Sequence, residues 1–221
     1  MTAQTQTHPA PLPRIRSEEQ IAFFRVVALL SAPLLRLFFR PTVRGSEHLP
    51  GKGGFVLSAN QLSNLDGWAL GYALLPRRLR WMGKAELFNP VLGPLARRLG
   101  IFPVRRGEGD RAAIATAVEL ARSGSVVVIF PEGTRRRKGF HKRREARPHS
   151  GAARVALAAG VPLVPAAIRG TERLTRFRQW HVSFGPPIGL DDLAGEKGAA
   201  REATRRLWAA ILALEGELWS E

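Results

Sequence analysis

The sequence predicts a single α/β domain with a mostly parallel sheet covered by helices, entered through an N-terminal helical segment of membrane-interfacial character. Three observations lead there. Short β-rich runs alternate with helical patterns along most of the 221 residues, the order produced when each strand passes to a crossover helix. The 45% hydrophobic content at this length supports one sizeable core, more naturally in one domain than in two. Polar, glycine-containing stretches also sit just past several strands, where ligands gather in parallel sheets.

Residues 1–16, MTAQTQTHPAPLPRIR, are polar and proline-rich without an apolar centre, which predicts a disordered tail and no signal peptide. Residues 17–41 form the next unit. Ile21 to Phe39 is apolar but interrupted by Arg25, Pro33 and Arg36. At about 100° per residue, Glu18, Arg25, Arg36 and Arg40 fall within about 40° of one line. A narrow polar stripe on a wide apolar surface suits lying in a membrane interface better than crossing it; an ordinary packed helix kinked at Pro33 is the alternative.

The α/β domain occupies 42–221. Strand-to-helix pairs are GGFVLSAN before LDGWALGYALL, LRWMGK before NPVLGPLARRLG, GIFPV before DRAAIATAVELARSG, and SVVVIF before GAARVALAAG. VPLVPAAI and HVSFGPP come next as strands. Leu207, Ile211, Leu214 and Leu218 then recur at helical spacing, predicting a closing amphipathic helix.

Charge narrows the partners. Thirty-four Lys and Arg against eighteen Asp and Glu give +16, which favours nucleic acid or an anionic membrane and its lipids. No nucleic-acid motif is present, and a single aromatic, Phe140, falls within the basic run Arg135 to Arg147, so no nucleic-acid partner is expected. The absence of cysteine excludes thiolate chemistry. The five histidines lack ligand spacing, so no metal site is expected.

The strand-end loops each have a structural reading as well as a chemical one. Ser63-Asn64-Leu65-Asp66 fits a capping box, with Ser63 as N-cap and Asp66 at N3. Phe130-Pro131-Glu132-Gly133 fits a turn, with Glu132 pairing to an arginine. Alternatively Gly133 lets the backbone approach a ligand whose phosphate Arg135 and Arg137 grip.

The order of these stretches resembles the glycerophospholipid acyltransferases, notably the 1-acylglycerol-3-phosphate acyltransferases. Asn60-Gln61-Leu62-Ser63-Asn64-Leu65-Asp66 is similar to the family's first block, GIFPVRR (100–106) to its second, FPEGTR (130–135) to its third and VPLVP (161–165) to its fourth. The resemblance implies transfer of an acyl group from acyl-CoA or acyl-carrier protein to a lysophospholipid hydroxyl, with no cofactor. It implies Asp66 as the orienting carboxylate and Arg106, Glu132, Gly133, Thr134, Arg135 and Arg137 as acceptor-phosphate contacts.

Position 61 departs from the pattern. Where the family has its catalytic histidine this chain has Gln61, either a natural departure or an introduced substitution. An amide can hydrogen-bond the acceptor hydroxyl or hold Asp66, but it cannot take a proton near neutral pH. His149 is the one histidine placed to substitute; otherwise it is a solvent-exposed loop residue. The expected protein is a peripheral acyltransferase at the cytoplasmic face of the membrane, impaired at its base, or a non-catalytic phospholipid-binding scaffold on the same fold.

Overall fold

A computed structural model describes residues 17–104, 111–133, 148–172, 179–193 and 195–220. The tail 1–16, Arg105, Arg106, Thr134, Arg135, Arg137 and the rest of the basic run to Arg147 lie outside the described residues.

The order is α1 (Ser17–Phe39), β1 (Thr42–Arg44), β2 (Phe55–Ala59), α2 (Asp66–Ala73), β3 (Leu79–Lys84), α3 (Gly93–Arg98), β4 (Ile101–Val104), α4 (Arg111–Arg122), β5 (Val126–Val128), α5 (Gly151–Ala159), β6 (Leu163–Arg169), β7 (His181–Phe184) and α6 (Ala199–Ser220). The seven strands form one sheet in the order β1-β7-β6-β2-β5-β3-β4. From β6 through β4 every pairing is parallel; β7 joins β6 antiparallel, and β1 runs parallel to β7. The expected mostly parallel sheet is therefore present. The sequence reading missed the three-residue β1 and the reversal at β7.

Helices cover both faces. Along β2, Phe55, Leu57 and Ala59 alternate with Val56 because successive side chains of a strand point to opposite faces. The first three join a core with Leu70 of α2, Phe39 of α1, Trp180 and Phe184. Val56 joins the other, with Ala117 and Ala121 of α4, Ala152 and Ala156 of α5, and Leu207 and Ile211 of α6. The alanine faces of α4 and α5 place little volume between them and let these helices pack closely. The predicted stripe of α6 holds at three of its four positions: Leu207, Ile211 and Leu218 are buried, while Leu214 is partly covered.

Helix α1 runs through Pro33 without interruption in its assigned span. Its C-terminal end is fixed by Phe39, which stacks on Trp180 at 4.4 Å between ring centres, and by Arg36, whose Nε donates to Tyr72 Oη of α2 at 2.8 Å. Among the described residues no helix is long and apolar enough to cross a membrane.

Candidate active site

The parallel arrangement brings the carboxyl ends of β2, β3, β4, β5 and β6 to one edge, and β2 sits between β5 and β6. Three polar loops therefore meet there: 60–66 after β2, 130–133 after β5, and 170–172 after β6. Strand β4, which leads to Arg106, ends three strands away from β2, roughly 14 Å at the usual strand spacing.

Asn60 closes β2 and is fully buried. Its amide copies a strand pairing: Nδ2 donates to the Ile168 carbonyl at 2.9 Å, and Oδ1 accepts from the Ile168 N–H at 2.7 Å. Nδ2 also donates to Glu215 Oε1 of α6 at 3.2 Å. The side chain thus ties β2, β6 and α6 together directly before position 61.

Asp66 is 1% exposed. Its Oδ2 accepts from the N–H groups of Leu62 and Ser63 at 2.7 and 2.8 Å, and its Oδ1 accepts from Thr171 Oγ1 at 2.5 Å. The anticipated capping box is only half formed. Helix α2 starts at Asp66 with Leu65 as its N-cap, so Ser63 lies outside the helix and its Oγ accepts from Leu65 N–H at 2.9 Å. The carboxylate reaches back to the loop, which is the other half of the motif.

Burial lifts the Asp66 carboxyl from 3.8 to about 6, against the hydrogen bonds from Thr171, Ser63 and Leu62, which favour its charge; the negative charge of Glu172 adds to the rise. A raised carboxyl pKa means the folded state holds the proton more tightly. Its stabilising contribution is therefore complete below pH 3.8 and lost as pH rises through about 6. The Asp66→Asn variant lacks this titration, and its amide fits the same partners if the Thr171 hydroxyl turns to accept. Chemical denaturation of both forms should show the parent losing about 3 kcal/mol relative to the variant between acidic and neutral pH. Parallel pH profiles would refute the assignment.

Residue 61 is anchored by its backbone. Its N–H donates to Glu132 Oε1 at 3.2 Å, and Glu132 is 7% exposed. Among the described residues the Gln61 amide makes no hydrogen bond with Asp66, contrary to one expected use of it; backbone and threonine donors already serve that carboxylate. Gly133 has φ +63°, a left-handed conformation that favours glycine. A Cβ there would lie 3.2 Å from His149 Cδ2. His149 N–H donates to the Pro131 carbonyl at 2.7 Å, so the histidine does sit against the turn after β5, with its side chain exposed.

Gln61, Asp66, Glu132 and Gly133 are thus brought to one edge. Two contributors went unread in the sequence. Thr171 is the second residue past β6, and that place, just beyond a parallel strand, is the signal that marks it. Glu215 is an acid on the apolar stripe of α6 between Ile211 and Leu218, a misfit that asks for a buried partner.

The acyltransferase family model matches residues 40–169 of the chain. The chain belongs to the acyltransferase family. As a member it is an O-acyltransferase by descent. It is 32% identical over 182 residues to the 1-acyl-sn-glycerol-3-phosphate acyltransferase of Bacillus subtilis, covering 80% of this chain and 88% of that one. It is 36% identical over 148 residues to the lyso-ornithine lipid O-acyltransferase of Pseudomonas aeruginosa, covering 63% of this chain and 50% of the relative. The crystal structure of the 1-acyl-sn-glycerophosphate acyltransferase PlsC from Thermotoga maritima shares the fold, with a TM-score of 0.66 at 22% identity over 92% of this chain and 84% of that one.

Proposed function

We propose that this acyltransferase moves a fatty acyl group from acyl-CoA or acyl-carrier protein to the free hydroxyl of a lysophospholipid such as 1-acylglycerol-3-phosphate, slowly, because Gln61 stands at the base position. The observation that carries the reading is the joining of the loop at position 61 to both Asp66 and Glu132 at one sheet edge. The acceptor oxygen attacks the thioester carbonyl, the C–O bond forms, the C–S bond breaks, and the thiol leaves with a proton. The site holds the loop and the acceptor; Gln61 offers the hydroxyl a hydrogen bond but no proton acceptor. Losing a positioned base costs ~10²–10⁴ in rate. No metal and no covalent acyl-enzyme enter the scheme.

The acceptor phosphate is assigned to Glu132, Gly133 and the basic residues Arg106, Arg135 and Arg137, with Thr134 completing the turn. Arg135→Ala should weaken lysophosphatidate binding by ~1.5–3 kcal/mol, the scale of hydrogen bonds to charged groups. Calorimetric titration measures it. Unchanged affinity in a folded variant would move the phosphate elsewhere. The lyso-ornithine relative makes a phosphate-free lyso-lipid the second acceptor to assay.

Helix α1 is assigned to the anionic cytoplasmic face of the cell membrane. Val26, Leu30, Leu34 and Leu37 are 55%, 69%, 57% and 71% exposed, an apolar line that water does not favour. Gln61 also supports a second reading, a phospholipid-binding scaffold without catalysis. Turnover that stays at background in both the parent and a Gln61→His variant would select it.

A further inference from the structure

The segment between β3 and β4 carries a second apolar surface that neither the core nor the site uses. Leu87 is 38% exposed, Leu92 46%, Leu95 48% and Val91 83%. The turn presenting them is built. Asn89 Oδ1 accepts from the N–H groups of Val91 and Leu92 at 3.0 and 2.8 Å, and the Asn89 carbonyl accepts from Gly93 N–H at 2.8 Å. A branched apolar side chain at the tip of a hydrogen-bonded turn is held out in water at a standing cost.

Its place in the fold is defined. Strand β3 ends at Lys84 on the carboxyl edge of the sheet, and residues 85–92 lie between it and α3, which turns back toward β4. Gly83 is in line with Leu79 and Trp81, on the strand face turned to the core beneath α1 and α2. A Cβ at Gly83 would lie 3.4 Å from Leu87 Cδ1, so the segment lies over that same face. On that face α2, with Trp68 43% exposed, is joined to α1 through Tyr72 and Arg36, while the segment adjoins β3, β4 and α3.

The surroundings are cationic. From the end of β3 through α3, residues 84–98 carry Lys84, Arg97 and Arg98 against one acid, Glu86. Arg97 Cζ sits 5.9 Å from the centre of the Phe88 ring, and Arg98 is exposed beside Leu95. Aliphatic side chains at a tip with guanidinium groups behind them match a bilayer, which offers hydrocarbon and phosphate at successive depths.

We propose that Leu87, Val91, Leu92 and Leu95 form a second membrane-inserting element, which docks the carboxyl edge of the sheet on anionic lipid. One helix in the interface leaves the domain free to turn about it. A second insertion point beside β3 and β4 fixes which edge meets the lipid. The choice of a membrane as occupant rests on the lipid-acceptor reading above, but the test uses no substrate.

The chain has no cysteine, so Val91→Cys takes a single environment-sensitive fluorophore. Vesicles of phosphatidylglycerol with phosphatidylcholine should shift its emission to the blue, and phosphatidylcholine alone should shift it far less. The unlabelled Val91→Asp, Leu92→Asp double variant should keep its melting temperature and lose about tenfold or more in partition to the anionic vesicles. A Leu30→Asp, Leu34→Asp variant reports the α1 contribution separately. Equal partition by the parent and the Val91, Leu92 variant would overturn the inference, as would an unshifted label on a chain that sediments with vesicles, or no sedimentation of the parent. A shift given by acidic acyl-carrier protein and not by vesicles would overturn it in favour of a protein partner. Failure of the acyltransferase reading would instead appear as absent turnover with the lipid-induced shift intact.

Discussion

Replacing Gln61 by histidine should raise acyl transfer from a thioester to lysophosphatidate by at least ~10²-fold, the lower end of what a positioned base contributes. The loop does not depend on the glutamine side chain for its shape. Glu132 accepts from the backbone of residue 61, and Asp66 accepts from the next two N–H groups. An imidazole there enters a prepared frame, takes the hydroxyl proton, and becomes a cation that the buried Asp66 carboxylate stabilises. Combining Gln61→His with Asp66→Ala should abolish the gain, and Asp66→Asn in its place should reduce it while better preserving the loop. Initial rates for the four proteins measure this. A parent as fast as the histidine variant would send the proton elsewhere, and His149, in contact with the turn at Gly133, is the first residue to replace.

Asn60→Ala should be the most damaging single change to stability at this edge. The substitution strands the N–H and carbonyl of Ile168 and removes a donor from Glu215, all in buried surroundings. Buried groups left without partners cost ~1–3 kcal/mol each, so a loss of about 3 kcal/mol or more is expected. For a domain of this size each kcal/mol lowers the melting temperature by roughly 2–4 °C. Thermal unfolding that moved by less than one such step would show that β2 and β6 hold together without the amide.

Much of this is legible in the sequence. Strands β2 to β5 are readable because each is a compact apolar run with a helical pattern after it, and β6 as the apolar run that follows α5; their parallel pairing stems from the crossovers. That pairing is also what places residues 60–66 and 130–133 on one edge. Strand β1 is not readable, since Thr42, Val43 and Arg44 form a strand only by pairing with residues nearly 140 positions later. The start of α2 is misjudged because Ser63 has two local options, and its hydroxyl accepts from Leu65 N–H in place of capping a helix. The partners of Asp66 are half visible: the Leu62 and Ser63 N–H groups are near in sequence, whereas Thr171 arrives only when β6 lies beside β2. Its place just past a strand marks Thr171 as a candidate, but the residues around it do not name Asp66 as the partner.

On the proposed function the frame is intact and lacks only a proton acceptor at position 61, and an acceptor that needs no base tests this most directly. A lysophosphatidate analogue with a thiol at the reacting position, assayed at a pH where much of it is already thiolate, should be acylated by the parent and the Gln61→His variant at similar rates above background. With the natural hydroxyl acceptor the two should differ by at least ~10²-fold. If the same large gap persisted with the thiol, the glutamine would be impairing something other than proton removal, and a missing base would not be the defect.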